Sequence, residues 1–207
     1  MKMEVRIVCA NTAADHDVPM GTTLKELSDA VCPEASAGLP VLAALVDNKL
    51  KSLDYKIINP HDVRFIGYDH PDGRRTYIRS LCFVLQKVVR EMFPDKILAI
   101  DYSLPSGLYC ELREKSAMED GRPQLFFVTD SQIETIHQRM AEIISADLPF
   151  GKTVVPRDEA LSLFEANSQY EKARLLASIG RFNYNVYWLD DQADKFYGPL
   201  VPSTGYL

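Results

Sequence analysis

The stretch "GTTLKELSDAV" at residues 21–31, with "VLAALVDNKLKSL" at 41–53, decides how the first third of this chain folds. Thr23 and Glu26 stand three apart ahead of an apolar run, which is the spacing of a capping box. There the threonine oxygen and the glutamate carboxylate satisfy free N–H groups of the first helical turn. Behind that cap, Leu24, Leu27 and Val31 fall on one helical face. The second stretch reads as an apolar strand, a turn at Asp47-Asn48 and another short strand. Upstream, residues 2–9 place Met3, Val5, Ile7 and Cys9 on one side at period two. Downstream, "DVRFIGY" at 62–68 does the same with Val63, Phe65 and Gly67.

A small sheet gripping one helix within about 70 residues is an α+β arrangement of the β-grasp type. "HPDGRR" at 70–75 predicts a turn cluster after which a second unit begins, so the domains expected are 1–69 and 70–207. From Arg79 to Met92, the residues Leu81, Val84, Leu85, Val88, Val89 and Met92 recur at helical spacing, stopped by Phe93-Pro94. "KILAIDYSL" (96–104) and "GLYCELR" (107–113) alternate as two strands joined around Pro105-Ser106-Gly107. Thr129 and Gln132 cap a second long helix, with Ile133, Ile136, Met140, Ile143 and Ile144 expected inward. "KTVVP" (152–156) reads as a strand, and "RDEALSLFEAN" and "QYEKARLLASI" as two helices. "YNVYWLD" (184–190) and "DKFYGPL" (194–200) read as the last strand pair.

With 46% hydrophobic and 25% charged residues in 207, the chain has ordinary globular composition. Its net charge of −6 argues against an evenly basic nucleic-acid surface. No apolar run approaches the ~20 residues of a membrane span, and the N-terminus lacks a signal-peptide pattern. The four cysteines lie far apart with no C-x-x-C pair, which fits reduced thiols and a cytoplasmic location; Cys82 and Cys110 sit in apolar strings and read as core. Gly151-Lys152-Thr153 imitates the tail of a phosphate-binding loop, but the earlier glycine is replaced by Ala146 and a strand, not a helix, follows. His16, His61, His70 and His137 lack zinc-helix spacing, so no metal and no cofactor are expected in these residues.

"GTTLKEL" with "LAALVDNKLKSLDYKI" resembles a TGS domain, the β-grasp module at the front of threonyl-tRNA synthetases and some GTPases. "RSLCFVLQKVVREMFPDKILAIDYSLPSGLYCEL", "IHQRMAEIISADLPFGKTVVPRDEALSLF" and "GPLVPSTGYL" resemble the editing domain of threonyl-tRNA synthetase, which hydrolyses mischarged tRNA. In that family a helix carries His-x-x-x-His and a late segment carries Cys-x-x-x-His around Gly-Pro. The resemblance places these four groups at Arg79, Phe83, Phe196 and Leu200. A guanidinium stays protonated and the other three are apolar, so the metal-binding and catalytic residues are lost and no catalytic residue is expected.

"DGRRTYIRSLCFVLQKVV" and "SGLYCEL" further resemble the front of bacterial uridine kinase-like proteins. That resemblance implies a non-catalytic binding or regulatory region, with a nucleoside kinase domain beyond residue 207 as its partner in cis. ATP and magnesium would then belong to that domain, and "GPLVPSTGYL" would be a seam. A small anionic ligand would sit in the relic of the editing cleft, against the Arg79 fork and the walls of Tyr102, Tyr109 and Tyr197. The alternative is a tRNA-binding factor using Arg74, Arg75, Arg79, Lys87 and Arg90, with Tyr77 stacking on a base. A divergent aminoacyl-tRNA deacylase relying on Asp101 and Glu111 is the third reading.

Overall fold

The computed structural model describes residues 3–207 apart from 33, 37–38, 106, 120–121 and 168, and apart from the side chains of 34–36, 102, 116–119, 122–123 and 171. It is a mixed α/β chain with several sheets, consistent with an α+β fold.

The first sheet runs β2-β1-β7-β5-β6, from β1 (Glu4–Cys9), β2 (Ala14–Pro19), β5 (Ala43–Val46), β6 (Lys49–Lys51) and β7 (His61–Ile66). Only β1 and β7 pair in parallel; the rest is antiparallel. Helix α1 (Leu24–Val31) carries the capping box at Thr23 and Glu26 and buries Leu24 and Leu27 against Val5, Ile7, Val63 and Phe65. The β5–β6 turn takes positive φ at both Asp47 (47°) and Asn48 (61°), the two-residue hairpin those side chains tolerate. Met3, expected inward, is 66% exposed just before β1. β3 (Glu34–Ser36) and β4 (Leu39–Pro40) pair as a separate short antiparallel ladder.

Helix α2 spans Pro71–Met92, eight residues earlier than the apolar spacing predicts. The turn cluster at 70–75 is its N-terminus: the His70 ring accepts from the Asp72 N–H at 3.1 Å, and Pro71 fills the first position, where no N–H is needed. Gly73 lets the helix lie on the Gly67 carbonyl, since a Cβ there would fall 1.8 Å from that oxygen. The buried face is also rotated from the expected stripe. Thr76, Ser80, Phe83, Val84, Lys87, Val88 and Val89 point inward, while Leu81 and Leu85 are half-buried. Thr76 and Ser80 can be buried because their hydroxyls donate to the carbonyls four residues back, each at 2.8 Å.

β8 (Lys96–Leu104), β9 (Gly107–Glu119) and β10 (Arg122–Phe126) form an antiparallel meander, and the alternation of the sequence anticipates its first two strands. Cys110 on β9 is exposed rather than core; Cys82 is half-buried, and burial pushes its thiol up to about 11. Helix α3 (Asp130–Ser145) starts at the Thr129–Gln132 capping box and buries Ile143, whereas Ile133, near its solvent-facing start, is 51% exposed.

β11 (Phe150–Pro156), β12 (Asn183–Leu189) and β13 (Gln192–Asp194) make the third sheet, backed by α4 (Arg157–Ala166) and α5 (Tyr170–Ile179). The last strand is "QAD", not "DKFYGPL": Asp190 takes φ 55°, the chain returns within two residues, and pairing stops before Lys195. The segment that follows crosses α2 and ends in a 3-10 turn, Thr204–Tyr206. No helix among the described residues is long and apolar enough to cross a membrane.

Candidate functional site

The site assembles where α2 meets the segment after β13. Arg79 and Phe83 lie one turn apart on α2, and Phe196 and Leu200 flank the Gly198-Pro199 corner. The Arg79 Nη1 donates to the Pro199 carbonyl at 2.6 Å, and the Val201 N–H donates to Ser80 Oγ at 3.0 Å. From the sheet side, the Tyr187 hydroxyl on β12 donates to the Gly198 carbonyl at 3.0 Å. Gly198 holds φ 130°, and its missing Cβ would stand 2.9 Å from the guanidinium carbon. The corner is therefore clamped by two helix residues and one strand residue.

Phe83 is fully buried, its ring centroid 5.0 Å from Phe196 and 5.9 Å from Phe150. Tyr187 meets Phe196 edge-on at 6.0 Å, and Leu200 belongs to the same cluster. The four positions that the family resemblance singles out thus meet in space, and apolar side chains fill the space between them. Burial pulls the Arg79 guanidinium below its ordinary value and pushes the Tyr187 phenol up. Neither shift makes a base or a nucleophile near neutral pH. No group of three or more His, Cys, Asp or Glu among the described residues is placed to hold a metal.

Tyr109 and Tyr197, expected as walls, do not join this packed cluster. Tyr197 is 67% exposed, with the Lys195 ammonium 3.8 Å above its ring. Tyr109 lies on β9 beside Glu111, in a groove lined by Leu85 and Val89. The Tyr102 side chain lies outside the described residues. Ser80 and Tyr187, which hold the corner, were not anticipated. Ser80 stands three residues before Phe83 and so on its helical stripe, but a serine there carries no apolar signal.

The expected basic run does not form a stripe. Arg74 and Arg75 are exposed, but Arg79 is engaged with Pro199 and Lys87 is buried among Glu91, Asp190 and Asp191. Arg90 is half-buried, its guanidinium against the side-chain amides of Gln169 and Gln192. Tyr77 packs edge-on against Tyr68, centroids 5.0 Å apart. Asp101 and Glu111 do come together, but across one cation: Arg113 pairs with both. That bond, with a second from Tyr109, holds Glu111 below the usual carboxylate range, the opposite of what a general acid needs.

No family model matches the chain. It is similar to threonine–tRNA ligases over nearly its whole length. Identity is 30% over 196 residues with the Aromatoleum aromaticum protein, covering 93% of this chain and 28% of that one. With the Desulforamulus reducens protein it is 29% over 195 residues, again 93% and 28%. With the Acetivibrio thermocellus protein it is 28% over 188 residues, 89% and 27%. The chain spans little more than a quarter of the length of these curated relatives. These relatives lend no support to the uridine kinase link and favour the tRNA-related alternative.

Proposed function

We propose that this chain is a tRNA-binding region related to the N-terminal part of threonyl-tRNA synthetases, and that it does not hydrolyse aminoacyl esters. One observation carries the second half of that reading. At the Gly198-Pro199 corner, the positions that resemble the family's His-x-x-x-His and Cys-x-x-x-His hold Arg79, Phe83, Phe196 and Leu200. Ester hydrolysis needs a positioned base or metal-bound water. A packed aromatic cluster supplies neither. Similarity to threonine–tRNA ligases supports the first half. The surface offered to RNA is the first turn of α2, where Arg74 and Arg75 are exposed and Arg74 lies over the Tyr68 ring at 5.4 Å.

The test pairs two assays on one preparation. Filter binding at low salt is expected to retain threonine tRNA, and incubation with seryl-tRNA is expected to release serine no faster than buffer. Failure to retain tRNA at low salt sinks the binding claim; deacylation above the buffer rate sinks the other.

A second reading, a regulatory region for an ATP-dependent nucleoside kinase in cis, rests on the resemblance of "DGRRTYIRSLCFVLQKVV" alone. Phosphorylation of uridine by the native polypeptide, altered on deleting these residues, would support it.

A further inference from the structure

Lys152, in the Gly151-Lys152-Thr153 string that imitates a phosphate-binding loop, stands on β11 instead. It lies opposite Tyr187 of β12 and on the same face of the strand as Phe150. There it rims a cavity of about 230 Å³ between the start of α1, the 52–54 turn after β6, β11 and residues 200–202. Of the four corner positions, only Leu200 borders this cavity. Drug-sized ligands take about 300–1,000 Å³, so the cavity suits a smaller one. Phe150 and Pro202, both partly exposed, give it an apolar wall.

The charges at the rim define the occupant. Lys25 is paired with Asp29 at 2.7 Å, and Thr23 is engaged in its capping box, so neither is available. Two charges remain. Lys152 is exposed and has no carboxylate partner among the described residues. Asp54 is exposed too; it accepts from the Ser52 hydroxyl and has no cationic partner among them. Burial and then the Asp54 carboxylate raise the Tyr187 phenol, which sets Asp54 near the strand neighbour of Lys152. The two charges thus border one cavity without pairing with each other. A simple anion would meet Lys152 and be repelled by Asp54, and a simple cation the reverse. A molecule carrying both charges satisfies both groups, and an apolar body suits the wall of Phe150 and Pro202.

We infer that this cavity takes an α-amino acid with an apolar side chain. Its carboxylate pairs with Lys152, its ammonium group with Asp54, and its side chain lies on Phe150 and Pro202. The bound molecule would bridge the first sheet's helix and turn to the third sheet. This inference goes beyond the RNA reading and uses none of Tyr68, Arg74 or Arg75, on which that reading is argued.

Titration calorimetry of the whole chain with leucine and phenylalanine tests it, and because no RNA is present the outcome is independent of tRNA binding. Three analogues of leucine each lack one feature: 4-methylpentanoate the ammonium group, 3-methylbutylamine the carboxylate, and glycine the side chain. Each is expected to bind at least about tenfold more weakly than leucine. Lys152→Ala and Asp54→Asn, both at exposed positions, are each expected to weaken leucine about tenfold with the melting temperature of the free chain unaltered. No binding of either amino acid at about 10 mM overturns the proposal. So does any of the three analogues binding as well as leucine, or an unaltered leucine affinity in either variant. Should a variant fail to fold, the comparison of leucine with its analogues on the parent chain still decides.

Discussion

At Gly198 a single hydrogen atom decides whether α2 can reach the last segment. The residue holds φ 130°, a conformation that side chains disfavour, and a Cβ would stand 2.9 Å from the Arg79 guanidinium. Gly198→Ala therefore carries two costs, backbone strain and a displaced arginine, together about 2–4 kcal/mol in urea unfolding. Arg79→Ala in the same chain removes the collision and leaves the strain. The double variant is expected to be less destabilised than the sum of the singles by about 1 kcal/mol or more, and strict additivity would refute the contact. The filling of this site was legible in the sequence, because Phe83, Phe196 and Leu200 stand where chemistry was expected. The clamp was not. Two of its three bonds end on the backbone carbonyls of Gly198 and Pro199, and a main-chain oxygen leaves no mark in a residue string.

On α2, Lys87 is buried yet charged because three carboxylates converge on it: Asp191 at 2.7 Å, Glu91 at 3.1 Å and Asp190 at 3.5 Å. Arg139 of α3 joins the network through Glu91 at 2.9 Å and Glu142 at 2.8 Å. Burial alone would depress the Lys87 ammonium, but its bonds to Asp191 and Glu91 outweigh burial and raise it. The bond from Lys87 holds Asp191 low; Glu91 is pushed up by burial but held low overall by Arg139 and Lys87. Carboxylates depressed in the folded state contribute stability that is present above their unfolded values, near pH 4, and lost as pH falls through the folded ones. The raised lysine contributes below about pH 10 and loses that contribution as pH rises through its folded value. Unfolding free energy is therefore expected to be level near neutrality and to drop below about pH 4. Lys87→Met should flatten that acid drop while keeping stability at pH 7 within about 2 kcal/mol, since Asp190 and Asp191 reach water. An acid limb as steep as the parent's would refute the assignment. The helix itself was legible from its apolar spacing, but its start and its buried face were not. His70 and Pro71 look like turn residues until the helix they cap is seen, and a lysine on the inward face makes sense only beside carboxylates about a hundred residues away.

Across the whole molecule, the contact of Gly73 with the Gly67 carbonyl ties the first turn of α2 to the end of β7. That places Arg74 over the Tyr68 ring, with Arg75 exposed next to it in the helix and Arg64 exposed on β7. The neighbouring acids are Asp69 and Asp72, the latter 3.5 Å from Arg75. In a chain of net charge −6, with Arg79, Lys87 and Arg90 turned to internal partners, the first turn of α2 presents a small positive patch. Each phosphate neutralised adds about 0.7–0.9 to the slope of log affinity against log salt, so about three contacts give a slope near −2 to −3. Arg74→Ala and Arg75→Ala are each expected to lower that slope by about 1, with little effect on the melting temperature. Filter binding of tRNA between about 50 and 200 mM salt reads both quantities. A slope of about −6 or steeper, unaltered by either variant, would mean that RNA engages a different face and that the first turn of α2 is a structural joint alone.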